Sequence, residues 1–163
     1  MDLGASIVGM IVILICIIPF VLISINNRKK GEKLRQKLFG FAENSNFTIS
    51  RFDSWHHSSI GIDDQNSIVF FTRTVNDQAF LRQINLSEIQ KCRVIISRKT
   101  ASNSGEIERL ELAFTYHNKQ KSEVILEFYN AAYDSLTLSG ELQMVEKWGK
   151  IVNDKISVVT PLR

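Results

Sequence analysis

The chain has 163 residues, 20 Lys/Arg against 17 Asp/Glu, and two cysteines. That length suits one ordinary domain plus a short extra segment, and excludes two large domains. The net charge of +3 is unevenly spread: residues 26–40 hold six basic groups and one acid, whereas residues 41–163 hold fourteen basic and fifteen acidic groups. The body of the chain is close to neutral, which argues against nucleic acid as a main partner, because phosphate binding needs a basic face.

Residues 3–25 read LGASIVGMIVILICIIPFVLISI, without a charge. As a helix rising about 1.5 Å per residue this run reaches about 34 Å, enough for a hydrocarbon core of roughly 30 Å. Pro19 is tolerated in a membrane helix. A cleaved signal peptide fits less well: the N-terminus is Met1-Asp2, the apolar run is too long, and Ser24-Ile25-Asn26 is a poor cleavage site. Apolar residues also continue well past Cys16, which weakens a lipoprotein reading. The basic groups follow the span and none precedes it, so the positive-inside rule puts the N-terminus outside and the domain in the cytoplasm. The expectation is a single-pass membrane protein.

Residues 26–46 read as a basic juxtamembrane helix or linker. Leu34, Leu38, Phe41 and Ala42 fall on one helical face. Arg28, Lys29, Lys30, Lys33, Arg35 and Lys37 are the candidate membrane-surface contacts, facing anionic headgroups. The plainer alternative is that they only fix topology, and both can hold. Asn44-Ser45-Asn46 stops the helix.

From residue 47 the pattern is strand after strand. Asn46–His56 is a first strand and Ser59–Asp63 a short second. Ile68, Phe70 and Thr72 alternate with Val69, Phe71 and Arg73 in a third, and Ala79–Leu86 is a fourth. Cys92, Val94 and Ile96 mark a fifth. Leu110, Leu112, Phe114 and Tyr116 share one face of a sixth; Val124, Leu126 and Phe128 share one face of a seventh. Alternation with short turns predicts an antiparallel sheet with one buried face. The period then changes to that of a helix. Leu142, Val145, Trp148, Val152 and Ile156 line one face over about Ser139–Lys155, with Ser139 as N-cap and Glu141 in the first turn.

The fold class is therefore α+β: an N-terminal transmembrane helix (3–25), a basic linker (26–46), a domain over 47–157 and a tail (158–163). About seven antiparallel strands closed by a C-terminal amphipathic helix resemble a bacterial pleckstrin-homology-like roll. The stretch Ile84-Asn85-Leu86-Ser87-Glu88-Ile89, followed by Cys92-Arg93-Val94, is similar to the strand–turn–strand segment of such domains. Ile60-Gly61-Ile62-Asp63, Glu127-Phe128-Tyr129-Asn130 and Leu138-Ser139-Gly140-Glu141…Trp148 resemble segments of small bacterial membrane-anchored proteins. These are packing motifs, and the resemblance implies a fold without implying an activity.

No chemical signature stands out. His56-His57 with Asp53 and Asp63 is the nearest approach to a metal cluster, but adjacent strand residues point to opposite faces and no further ligand has zinc-like spacing. Asp63-Asp64 beside Gln65-Asn66 reads as turn chemistry. Cys92 reads as a small buried hydrophobe. No catalytic, cofactor or metal residues are assigned and no cofactor is expected. The lipid-binding basic set of eukaryotic pleckstrin-homology domains is not matched, since Arg51 is the sole basic residue near Trp55–Ser59. The expected role is a membrane-tethered cytoplasmic interaction module with a protein partner in addition to the bilayer. The alternative is an enzyme whose dispersed site leaves no motif.

Overall fold

The computed structural model describes residues 31–76, 78–99, 105–134 and 137–159. The apolar run, Arg28, Lys29, Lys30, most of the 101–105 loop and the last four residues lie outside the described residues. Among the described residues no helix is long and apolar enough to cross a membrane.

The architecture is α+β. A first helix, α1, occupies residues 31–44 of the described chain. The strands are β1 (Arg51–Trp55), β2 (Ser58–Asp63), β3 (Ile68–Val75), β4 (Gln78–Asn85), β5 (Ile89–Arg98), β6 (Ile107–Tyr116) and β7 (Val124–Asn130). Helix α2 (Glu141–Val159) follows. All pairings are antiparallel, in two sheets ordered β1-β2-β3-β4 and β5-β6-β7. A 3-10 turn at Leu86–Glu88, capped by the Asn85 side chain on the Ser87 N–H, carries the chain from one sheet to the other.

The expectation of one sheet with one buried face needs correction. There are two sheets, and β2 and the first six residues of β3 are buried on both faces. Ile60, Ile62, Val69 and Phe71 join the main core with Leu112, Phe114, Leu126, Phe128 and Trp148. Phe70 and Ile68 face the other way, into a second cluster with Ile49 and with Leu38 and Ala42 of α1. Helix α1 is thus seated on the first sheet. Gly61 makes room for it, because a Cβ there would stand 2.9 Å from Ile49 Cγ2 and 3.2 Å from Leu38 Cδ2.

Two boundaries also shift. The first strand starts at Arg51 and not at Asn46, because the Thr48 N–H donates to the Asp63 side chain and not to a strand partner. Helix α2 starts at Glu141, with Gly140 at φ +112° ahead of it and the Gly140 carbonyl accepting from Met144 N–H. Ser139 is not the cap. Its own N–H donates to the Glu141 carboxylate.

The apolar stripe of α2 lies where its spacing puts it. Val145, Trp148, Val152 and Ile156 are buried in the main core, with Leu142 partly buried beside them. Gly149 lets the helix approach the second sheet, where an added Cβ would meet Val94 Cγ2 at 2.9 Å. Trp148 is fully buried and its indole N–H donates to Asp53 at 2.8 Å, which joins α2 to β1. Trp148→Ala is expected to destabilise the full chain by about 3–5 kcal/mol, the usual cost of deleting a buried aromatic. Denaturant titration checks this, and a loss below about 1 kcal/mol would mean that the site collapses around the deletion.

Candidate functional site

The residues considered for a metal disperse. Asp53 takes Trp148 and the Lys147 ammonium, at 2.6 Å. His56, at φ +40° in the β1–β2 turn, places Nε2 2.9 Å from Oε1 of the buried Glu141. His57 is exposed and uses its backbone carbonyl to accept from Thr74. Asp63 accepts from the backbone N–H groups of Thr48, Gln65 and Asn66 and from the Asn66 side chain, all within 3.0 Å. Burial pushes its carboxyl up, but these four hydrogen bonds outweigh it and hold the group below its ordinary value. Asp64 pairs with Arg51 through two hydrogen bonds of 2.9 and 2.6 Å. Among the described residues no group of three His, Cys, Asp or Glu side chains could hold a metal ion.

Cys92 is buried, and burial pushes its thiol up to about 12. It stays protonated at neutral pH and is a poor nucleophile. Its backbone N–H and carbonyl are both held by the Asn153 side chain of α2.

Of the basic block, Lys33 and Lys37 are exposed on α1. Arg35 is also exposed, with its guanidinium 5.3 Å from the ring centres of both Phe39 and Phe52 and 3.4 Å from Glu32.

The most built polar assembly lies elsewhere, between the open sides of the two sheets. Arg73 of β3 is 5% exposed. Its Nη2 meets Asp134 at 2.6 Å, its Nε faces Glu127 at 3.3 Å, and its Nη1 donates to Ser58 and to the Phe128 carbonyl. The Tyr133 ring lies 5.5 Å from the guanidinium carbon and its hydroxyl donates to Glu127. Burial first, then the Glu127 carboxylate, raises the Tyr133 phenol above its ordinary value. The Phe128 carbonyl is available because the β6–β7 register shifts there: Leu110 pairs with Tyr129, the next residue Glu111 pairs with Glu127, and Phe128 is left out of the ladder. Trp55 fills the same gap, donating its indole N–H to that carbonyl at 2.9 Å and stacking on the Phe128 ring at 4.6 Å.

Above Arg73 opens a cleft of about 420 Å³, walled by Val75, Phe80 and Arg82 on one side and Ile125, Glu127 and Tyr133 on the other. Its rim is apolar and open to solvent: Phe80 is 47% exposed, Ile125 48% and Tyr133 45%. A second cleft of similar volume, lined by Lys99, Ile107 and Leu138 among others, lacks such a rim.

Sequence reasoning missed this site. It placed Arg73 in an alternating strand and Glu127 in a packing segment, and gave Tyr133 and Asp134 no role. The one available signal is an arginine at the end of the apolar run Ile68–Phe71.

Comparisons with family models, curated proteins and solved structures return no match to this chain.

Two outcomes follow from these contacts. Arg73→Met leaves Asp134 and Glu127 without their buried cation. It is expected to cost about 3–5 kcal/mol, measured by denaturant unfolding, and a neutral result would show that the carboxylates are freely solvated. For Asp63, a carboxyl held low in the folded state adds stability above its ordinary value of 3.8 and loses it as pH falls through the lower folded value. Asp63→Asn should therefore be less stable than wild type at neutral pH. The gap should narrow once the pH drops below that range. A gap that stays constant down to the acid transition would show that the charge is not what the turn requires.

Proposed function

We propose that this chain is a single-pass membrane protein whose C-terminal unit is a cytoplasmic, pleckstrin-homology-like interaction module that binds a protein and carries out no catalysis. The observation that carries the reading is the cleft between β4 and β7. Three large apolar side chains stand open around a floor locked by the Arg73 network. Exposed apolar groups gathered around a concavity mark binding surfaces, whereas scattered ones need no explanation. The rigid floor means that little ordering entropy is lost on binding. The pleckstrin-homology-like assignment draws support from the four-plus-three division of antiparallel strands and from α2 packed on the second sheet.

The membrane assignment rests on the uncharged run of residues 3–25 and on the charge step behind it. Lys33 and Lys37, exposed on α1, suit contact with anionic headgroups. Arg35, packed beside the Phe39 and Phe52 rings, is held to the domain and serves this role less.

A photoreactive amino acid replacing Ile125 in the full chain, expressed in its native membranes, tests the module. A covalent adduct with a protein is expected there, and none at the exposed Glu146 of α2. Equal yields at the two positions would remove the cleft as an interaction surface. A reporter fused after Arg163 tests the topology: it should be active only in the cytoplasm, and activity outside would reverse the assignment.

A further inference from the structure

Each sheet edge in a soluble domain presents peptide groups that must be covered or blunted. Among the described residues, three of the four edges are covered in part, short or charged. On the β5 edge Asn153 of α2 holds both backbone groups of Cys92, and Lys91, Arg93 and Arg98 put charge along the strand. The C-terminal half of the β7 edge is covered by Trp55 and Arg73 on the Phe128 carbonyl and by Asp134 on the Asn130 N–H, and Glu127 adds a charge. The β1 edge is only five residues long, and its Arg51 and Asp53 are charged and paired. The fourth edge, β4, is different. It has eight residues, Gln78–Gln83 are all exposed, and Arg82 is its only charge.

Hydrogen-bond parity says which groups of β4 are free. The Leu86 N–H donates to Ser67, one step beyond the Ile68–Asn85 pair. In an antiparallel ladder bonded pairs alternate, so Val69–Ile84, Phe71–Arg82 and Arg73–Phe80 are the bonded pairs of β3 and β4. The backbone groups of Ala79, Leu81 and Gln83 therefore point away from the sheet. Among the described residues, the one contact to any of them is the Arg82 guanidinium on the Leu81 carbonyl, at 3.4 Å.

We infer that β4 pairs antiparallel with β4 of a second copy of this chain, about a two-fold axis at Leu81. The inference rests on the interaction-module reading, for which it names one partner. The segment Ala79-Phe80-Leu81-Arg82-Gln83 is complementary to itself in this register. Leu81 meets Leu81, Ala79 meets Gln83, and the three outward residues of each strand exchange six hydrogen bonds. Phe80 then faces Arg82 of the partner twice, in the closer non-bonded positions, where a guanidinium and a ring attract. The neighbouring register, centred on Arg82, would set two guanidinium groups against each other at that close spacing and is disfavoured. A foreign peptide would need a matched acidic or aromatic residue opposite Arg82, whereas a second copy carries its own.

The test uses the full chain in mild detergent with Cys16→Ser, because Cys92 is buried. Under gentle oxidation Leu81→Cys should give covalent dimers, since the two Cα atoms sit about 5.5 Å apart in a bonded pair. Ala79→Cys should not, because that residue faces Gln83 of the partner. Without oxidant, Leu81→Pro removes an outward N–H and spares the β3 ladder, a position where edge proline is tolerated. It should weaken self-association at least about tenfold by sedimentation. Leu81→Lys does the same by charge and serves if the proline variant fails to fold. Equal cross-linking at positions 79 and 81, or none at either, would overturn the inference, as would self-association unchanged in Leu81→Lys. An adduct with a different protein at Ile125 would leave the module reading intact even then.

Discussion

The seating of α1 against the first sheet is the constraint on which the rest depends. Leu34, Leu38 and Ala42 are buried, and Leu38 fits above Gly61, where a side chain would collide with it. Burying a leucine contributes about 1.5–3 kcal/mol, so this helix adds a substantial share of a stability that in small domains is only about 5–15 kcal/mol. It is also why β2 and β3 are buried on both faces, and why Ile49, Ile68 and Phe70 form a core of their own. A helix docked this way is part of the folded unit, and a boundary drawn at residue 46 cuts through that second core.

The main core is closed by polar seams as much as by apolar packing. Asp53 bridges β1 to Lys147 and Trp148, His56 meets Glu141 at the start of α2, and Asn153 grips β5. Arg73 gathers the β2–β3 hairpin, β7 and the turn after it. Exposed pairs such as Lys121–Glu88 contribute little, because water and salt screen them. Breaking the Arg73 set costs far more, because it strands carboxylates that are mostly out of water. Outer groups at Cys92 of β5 and at Phe128 and Asn130 of β7 are occupied by side chains, whereas β4, beside the open cleft, has only Arg82 on the Leu81 carbonyl among the described residues.

Some of this was legible in the sequence. The α2 stripe from Leu142 to Ile156 has a single period and one face to bury, so its spacing located the helix within a few residues. The turn at Asp63-Asp64-Gln65-Asn66 is fixed by local side-chain chemistry and showed as such. The two-sided burial of β3 did not show, because Ile68-Val69-Phe70-Phe71 fits an alternating strand as well as a covered one until α1 is seen on top of it. Gly61 stood inside a packing motif without a stated role, though a glycine between two isoleucines in a strand signals close approach of another element. Arg73 and Asp134 are 61 positions apart. No local pattern links them, since only the meeting of the two sheets brings them together.

Amide hydrogen exchange of α1 in the full chain tests the central claim most directly. A helix docked on the sheet should hold the N–H groups of residues 38–42 closed with protection approaching that of β3, because they can open only when the second core opens. Exchange at those positions as fast as in a free helix, while β3 stays protected, would contradict the account and return α1 to the status of a linker.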